Sequence, residues 1–277
     1  MAIHIVLVYG ASPVPPGNPP VLSVIGADAR PLADVPFLVV VTHGWYERQA
    51  WPEALARAIS EKTDDRTWCC GWYDWRSQAK RLLPQDAALV ACDSVGPQLG
   101  RAIVQLSGNW KHVHLIGHSA GSWVINEAAR IVARRTSASI HLTFLDAYVP
   151  GDRDETSLGD VACDPNLRCW VEHYFTRDPP LHLTENPLTH AYNVDITAVN
   201  PGFNGHKFPW HWYLATVRGR FTARGALGEA TVWQNVNDLA FGMARSREAG
   251  EGHWQRSLQL APATVALTPA VGGPLAP

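Results

Sequence analysis

The chain has 277 residues, of which 46% are hydrophobic and 17% charged, a composition that excludes a disordered or collagen-like polypeptide. Its 23 basic and 25 acidic residues leave a net charge of −2, so the electrostatic footprint of a nucleic-acid-binding protein is missing. The apolar run Phe37 to Val41 is far short of the about 18 residues that a membrane span requires.

Taken in chain order, the N-terminus (Met-Ala-Ile-His-Ile-Val-Leu-Val-Tyr-Gly) lacks a basic signal-peptide region and reads as a strand. That fits a cytoplasmic protein or the mature part of a secreted one. Residues 11–20 form a Pro-rich loop with few backbone donors. Apolar, β-rich runs then predict strands at Phe37–Thr42, Thr67–Asp74, Val113–Gly117, Ile140–Leu145, Trp170–Thr176 and Tyr192–Ala198. Helical spacing predicts helices at Trp51–Glu61, around 85–107 with a kink or restart at Pro97, and at Ser122–Arg135. In the last, Val124, Ile125, Ala128, Ile131 and Val132 recur along one face. Alternating strands and helices imply a doubly wound, mostly parallel sheet with helices on both faces, in a single domain over residues 1–260. Residues 150–169 form a polar excursion, a short candidate lid, and 261–277 an Ala/Pro-rich tail expected to be loosely held.

Five cysteines leave at least one thiol unpaired; Cys163 and Cys169 bracket a short loop and could be bridged. Cys69 and Cys70 are expected to pack within a strand.

The sharpest motif is Gly117-His118-Ser119-Ala120-Gly121, a G-x-S-x-G match lying between a predicted strand and a predicted helix. A tight strand-to-helix turn strains the serine backbone and exposes its Oγ, while the helix N-terminus behind it offers partial positive charge. Ser119 is therefore the candidate nucleophile. A second apolar strand ends in Thr42-His43-Gly44-Trp45.

These residues, with Tyr73-Asp74-Trp75, Phe144-Leu145-Asp146-Ala147-Tyr148-Val149-Pro150 and a His followed by Trp-Tyr at 206–213, resemble the α/β-hydrolase superfamily. Within it the likeness is to pancreatic-lipase-like esterases and lipases, from about Phe37 to Tyr213. The resemblance implies the α/β-hydrolase fold, a Ser-His-Asp triad and an oxyanion hole formed by the N–H groups of Trp45 and Ala120. It places the acid at Asp146, in Leu-Asp-Ala where those lipases carry Leu-Asp-Pro. Most other α/β-hydrolases take the acid from the next strand, where Asp178 stands.

The order Ser, acid, His leaves His173, His182, His190, His206, His211 and His253 as possible bases. His206 follows an Asn-Gly turn and precedes the closing helix, the expected place for the base. His211 is its rival, His173 reads as a buried strand residue and His118 as structural. Trp45, Trp123, Trp210 and Trp212 fall near the predicted loops and could line a substrate cleft, Trp123 and Trp210 foremost; core filling is the competing use.

No H-E-x-x-H, phosphate loop or dinucleotide fingerprint occurs, and His112-x-His114 has no third ligand nearby in sequence. Neither metal nor cofactor is expected. The implied partner is a small or polymeric ester, with no nucleic acid and no membrane span. The excursion lacks an amphipathic helix, which favours an esterase on short- to medium-chain or aromatic esters. A true lipase on long-chain acylglycerols, an acyltransferase or a thioesterase would carry the same triad.

Overall fold

The computed structural model describes residues 2–6, 18–26, 31–177, 184–200, 202–218, 220–224, 230–234 and 264–266. Its centre is a nine-stranded sheet in the order β1-β2-β4-β3-β5-β6-β7-β8-β11. The strands are β1 (Ala2–Val6), β2 (Val21–Ile25), β3 (Phe37–Thr42), β4 (Trp68–Asp74), β5 (His112–His118), β6 (Ser139–Leu145), β7 (Cys169–Phe175), β8 (Tyr192–Asp195) and β11 (Thr264–Ala266). From β4 to β11 neighbouring strands run parallel; β1 pairs antiparallel with β2, and β2 with β4. A separate antiparallel ribbon joins β9 (Arg220–Arg224) and β10 (Ala230–Gln234).

Helices α1 (Trp51–Ser60) and α6 (Phe208–Arg218) share one core with Val39, Val41, Ile116, Leu145 and Tyr174. On the other face α3 (Pro84–Val90), α4 (Gly96–Leu106) and α5 (Gly121–Arg135) pack on Leu38, Val40, Val113 and Leu115; α2 (Arg76–Ala79) is a single turn after β4. Strand residues alternate between these cores because the side-chain period of a strand is two. Helix α1 offers Trp51, Leu55, Ala56 and Ile59 to the sheet at helical spacing, with Pro52 in its first turn, where a missing N–H is harmless. Arg134 and Arg135 close α5 at the negative end of its dipole. Among the described residues, no helix is long and apolar enough to cross a membrane.

The structure departs from the sequence reading in several places. Val21–Ile25 is a strand hidden behind the Pro-rich loop. The expected middle helix is continuous, but Ala91–Val95 widens into a π turn just before Pro97. A proline cannot donate to the carbonyl four residues back, and the wider turn absorbs that loss. Strand β8 stops at Asp195, whose carboxylate accepts the Thr197 N–H (3.0 Å) and hydroxyl (2.6 Å) and turns the chain. Within the expected tail, Thr264–Ala266 pairs with β8. Cys163 is an exposed free thiol and Cys169 a buried one on β7, so the two are not bridged. Finally, the excursion is tied to α5. Asn126 accepts from the Gly159 N–H (2.8 Å) and donates to the Ser157 carbonyl (3.0 Å), and Arg130 pairs with Asp160 at 2.6 Å. Leu158 is buried beneath this segment.

Candidate active site

The carboxyl ends of β3, β5, β6 and β7 carry the polar residues of interest, as open parallel sheets place their ligands. Ser119 leaves β5 with φ 55, a left-handed conformation rare for a residue with a side chain. Its N–H is held by the Leu145 carbonyl at 3.0 Å, and its own carbonyl accepts from Ser122 (3.0 Å) as α5 begins. The turn closes against the His43-Gly44 loop. A Cβ on Gly121 would lie 2.3 Å from the His43 carbonyl oxygen, and one on Gly44 would lie 2.7 Å from the Ser119 Cβ. Only glycine permits both approaches. His43 fixes this loop: its Nε2 accepts the Trp75 N–H (3.1 Å), its Nδ1–H donates to the Gly44 carbonyl (2.9 Å), and its ring stacks on Trp75.

Asp146, at the end of β6, has φ 50. Its amide donates to the Tyr174 carbonyl (2.8 Å), its Oδ1 accepts the Thr176 N–H (3.0 Å), and its Oδ2 lies 2.7 Å from His206 Nδ1. Burial raises the Asp146 carboxyl above its ordinary value, opposed by the His206, Thr176 and Thr184 contacts. The next amide, Ala147, donates to His173 Nε2 at 3.2 Å, and His173 Nδ1 donates to the Asn193 carboxamide oxygen at 3.1 Å. Burial lowers the His173 imidazole to about 4, so it holds the Asp146 turn as a neutral acceptor. His206 sits in a turn closed by Phe208 N–H to the Asn204 carbonyl (3.0 Å) and leads directly into α6. With Nδ1 facing Asp146 and the side chain 20% exposed, Nε2 is the nitrogen open to a reaction. His118, the residue before Ser119, has its ring 4.6 Å from that of His206.

The rivals fall elsewhere. His211 stacks on Trp210 and Phe203 and is lowered to about 4 by burial. His190 is paired with Cys163 at 3.5 Å. Asp178, His182 and His253 lie outside the described residues. Trp45 follows Gly44 on the loop after β3, and Ala120 is the N-cap of α5 directly after Ser119; the Trp45 indole donates to the Arg81 carbonyl at 2.9 Å. The cleft-lining role expected of Trp123 and Trp210 does not match their packing. Trp123 is 1% exposed, its indole donating to the Tyr148 carbonyl, and Trp210 is 4% exposed, stacked on Trp51. Among the described residues, the exposed large apolar side chains are Trp45 (38%), Tyr46, Leu82 (88%) and Leu83, all on the loops after β3 and β4.

Folding also supplies what His112-x-His114 lacked in sequence. His114, His141 and Glu172 meet on one face of β5, β6 and β7, with possible ligand atoms within 4.8 Å of one another. Their geometry suits a hydrogen-bonded network better than an ion. The His114 and His141 rings are parallel at 3.8 Å, and lone pairs lying in parallel planes cannot converge on one point. Glu172 already accepts from Thr143 (2.7 Å), from Trp170 (3.0 Å) and from His141 (3.1 Å).

A parallel sheet with antiparallel strands at one edge carries a strained serine after β5, an aspartate after β6 and a histidine before α6, in the order Ser, Asp, His. The chain has the α/β-hydrolase fold. No protein family and no curated protein matches the sequence. Solved structures similar to it include a thermophilic esterase from Thermogutta terrifontis, 17% identical with a TM-score of 0.35 over 53% of this chain and 54% of that one. Another is an α/β serine hydrolase without a lid from Xanthomonas campestris, 13% identical with a TM-score of 0.39, covering 66% of this chain and 74% of that one. A thermostable esterase is 11% identical with a TM-score of 0.48, covering 78% of this chain and 60% of its own. The chain thus spans about half the length of the first of these esterases.

Proposed function

We propose that the chain is a serine carboxylic-ester hydrolase acting through an acyl-enzyme. The observation that carries this reading is the 2.7 Å contact between Asp146 Oδ2 and His206 Nδ1, made beside a serine at φ 55. Ser119 Oγ attacks the ester carbonyl as its proton passes to His206 Nε2. Asp146 holds the His206 tautomer and stabilises the imidazolium, and the N–H groups of Trp45 and Ala120 receive the developing alkoxide. The tetrahedral intermediate collapses, the imidazolium returns its proton to the leaving alcohol, and water repeats the sequence to release the acid and restore Ser119.

The preferred substrates in this reading are short- to medium-chain or aromatic esters, because the segment that could have been a lid is pinned to α5. A second reading, long-chain esters presented at an interface, is favoured by the exposed Trp45, Tyr46, Leu82 and Leu83 on the loops after β3 and β4. Hydrolysis of p-nitrophenyl esters from acetate to palmitate, with Ser119→Ala alongside, separates the two. Turnover peaking at short chains and absent in the variant supports the first; turnover rising only above the solubility limit of long chains supports the second. Turnover retained by Ser119→Ala, or failure of the folded protein to react with a fluorophosphonate probe, would overturn both.

A further inference from the structure

The variable residue of the nucleophile turn does more than fill space. His118 ends β5 with its side chain buried on the face shared with α1 and α6. Its Nε2 lies 2.7 Å from the main-chain carbonyl oxygen of His206, 88 residues away in sequence. A carbonyl only accepts, so Nε2 carries the proton and Nδ1 is bare; Nδ1 has no partner among the described residues. Trp51 meets the ring edge-on at 5.9 Å, and Trp51 in turn stacks on Trp210 at 5.3 Å and donates to Glu47. The imidazole is therefore clamped from one side while its N–H is committed on the other.

We propose that His118 is a positioning residue that fixes the main chain of His206 to the nucleophile turn. This rests on the triad reading above. His206 is then held at two points, its side chain by Asp146 at Nδ1 and its carbonyl by His118. Because His118 is peptide-bonded to Ser119, the second hold ties base and nucleophile into one frame without passing through the rest of the sheet. The choice of histidine has a chemical reason. A leucine fills the volume but donates nothing, and a serine or threonine is too short to reach. A permanent cation would oppose the imidazolium that forms on His206, with the rings 4.6 Å apart. Burial, and then the neighbouring His206, keep the His118 imidazole neutral well below its ordinary titration range.

The test compares His118→Gln and His118→Met in the 277-residue chain. The two side chains have nearly the same shape, and glutamine places an amide nitrogen about as far from Cα as imidazole Nε2, whereas methionine has no donor. With p-nitrophenyl butyrate, His118→Met should lose on the order of 10- to 100-fold in kcat, the scale of a misplacement of about 1 Å, with KM within about twofold. His118→Gln should recover most of the loss. An activity-independent reading comes from the low-field proton resonance of the His206–Asp146 hydrogen bond. It should be present in wild type, Ser119→Ala and His118→Gln, and exchange-broadened in His118→Met. Should His118→Met fail to fold, as judged by thermal melting, His118→Phe keeps a planar ring without a donor and replaces it. Equal kcat and an equal resonance in the Gln and Met variants would overturn the proposal. Retained turnover in Ser119→Ala would instead overturn the triad reading, while the resonance would still report whether His118 positions His206.

Discussion

Ser119 and Asp146 leave the adjacent strands β5 and β6 in the same left-handed conformation, at φ 55 and φ 50, and the Ser119 N–H is held by the carbonyl of Leu145, the residue before Asp146. Two non-glycine residues in that region cost of order 1–3 kcal/mol each, and persist only where surrounding contacts over-determine them. Those contacts are visible: Gly44 and Gly121 press on the serine turn, while Tyr174, Thr176 and His173 hold the aspartate turn. The strain turns both side chains out of their strands at the sheet's carboxyl edge. There, one carboxylate oxygen can serve the fold through Thr176 and the other can serve His206.

That division of labour predicts the outcome of Asp146→Asn. The oxygen of the carboxamide would keep the Thr176 N–H, so its amide nitrogen would face His206 Nδ1 and force the wrong imidazole tautomer. Turnover should fall roughly 10,000-fold with the fold intact. Asp178→Asn, the rival position outside the described residues, should leave turnover within a few-fold of wild type. Initial rates on p-nitrophenyl butyrate for the two variants decide the acid; a larger loss in Asp178→Asn would reverse the assignment.

Gly121→Ala should be damaging for a purely steric reason. Its Cβ would sit 2.3 Å from the His43 carbonyl oxygen, a backbone atom on a loop locked by Trp75. Forcing the two apart should cost on the order of 1–3 kcal/mol and displace the His43-Gly44 loop from Ser119, lowering turnover as well. Gly108 faces open space, so Gly108→Ala should change stability by less than about 0.5 kcal/mol. Urea midpoints of the two variants provide the comparison.

What could be read in the sequence was local. Ser119 was legible because strand, turn and helix signals are contiguous around it, and His206 because an Asn-Gly turn precedes an apolar helix. The choice of acid was open because it depends on how the end of β6 registers against Tyr174 and Thr176 of the next strand and its loop, a relationship that no short segment contains. The same limit hid the meeting of His114 with His141 and Glu172, which lie opposite or diagonal across β5, β6 and β7. Burial of Trp123 and Trp210 could not be separated from cleft lining, since an indole in a loop-proximal helix suits either use until its neighbours are known. The strand Val21–Ile25 was missed because its pairing with β4 is antiparallel and its flank is rich in proline.

The buried network around Glu172 should matter to stability more than to metal content. Glu172→Ala would strand the Thr143 hydroxyl, the Trp170 indole N–H and the His141 imidazole at once. Leaving a buried donor unsatisfied costs on the order of 1–3 kcal/mol for each group. Thermal melting should therefore shift strongly in this variant, whereas a chelator or added zinc should leave the wild-type transition where it was. A zinc-dependent rise in melting temperature would mean that the two imidazoles splay apart to bind the ion.

Acid should unfold the protein through its buried imidazoles. His112, His114, His118 and His173 are all held below their ordinary value by burial, His112 to about 3 and His173 to about 4. At these histidines the unfolded chain therefore binds more protons than the folded one between the ordinary histidine range and the lowered folded values. By linkage, stability is then full above about pH 6.5 and falls as the pH drops toward the folded values. His173 alone corresponds to on the order of 3 kcal/mol across that window. Asp146, raised by burial, works in the opposite sense, but His211, lowered to about 4, adds a fifth imidazole to the other four. Urea midpoints measured from pH 8 to pH 4 should decline steadily below about pH 6.5. His112→Asn cannot take up the proton and places its carboxamide where Nδ1 meets Ser139, so its decline should be shallower than that of wild type. A midpoint independent of pH, or equal slopes in the two proteins, would show that these histidines do not carry the acid sensitivity.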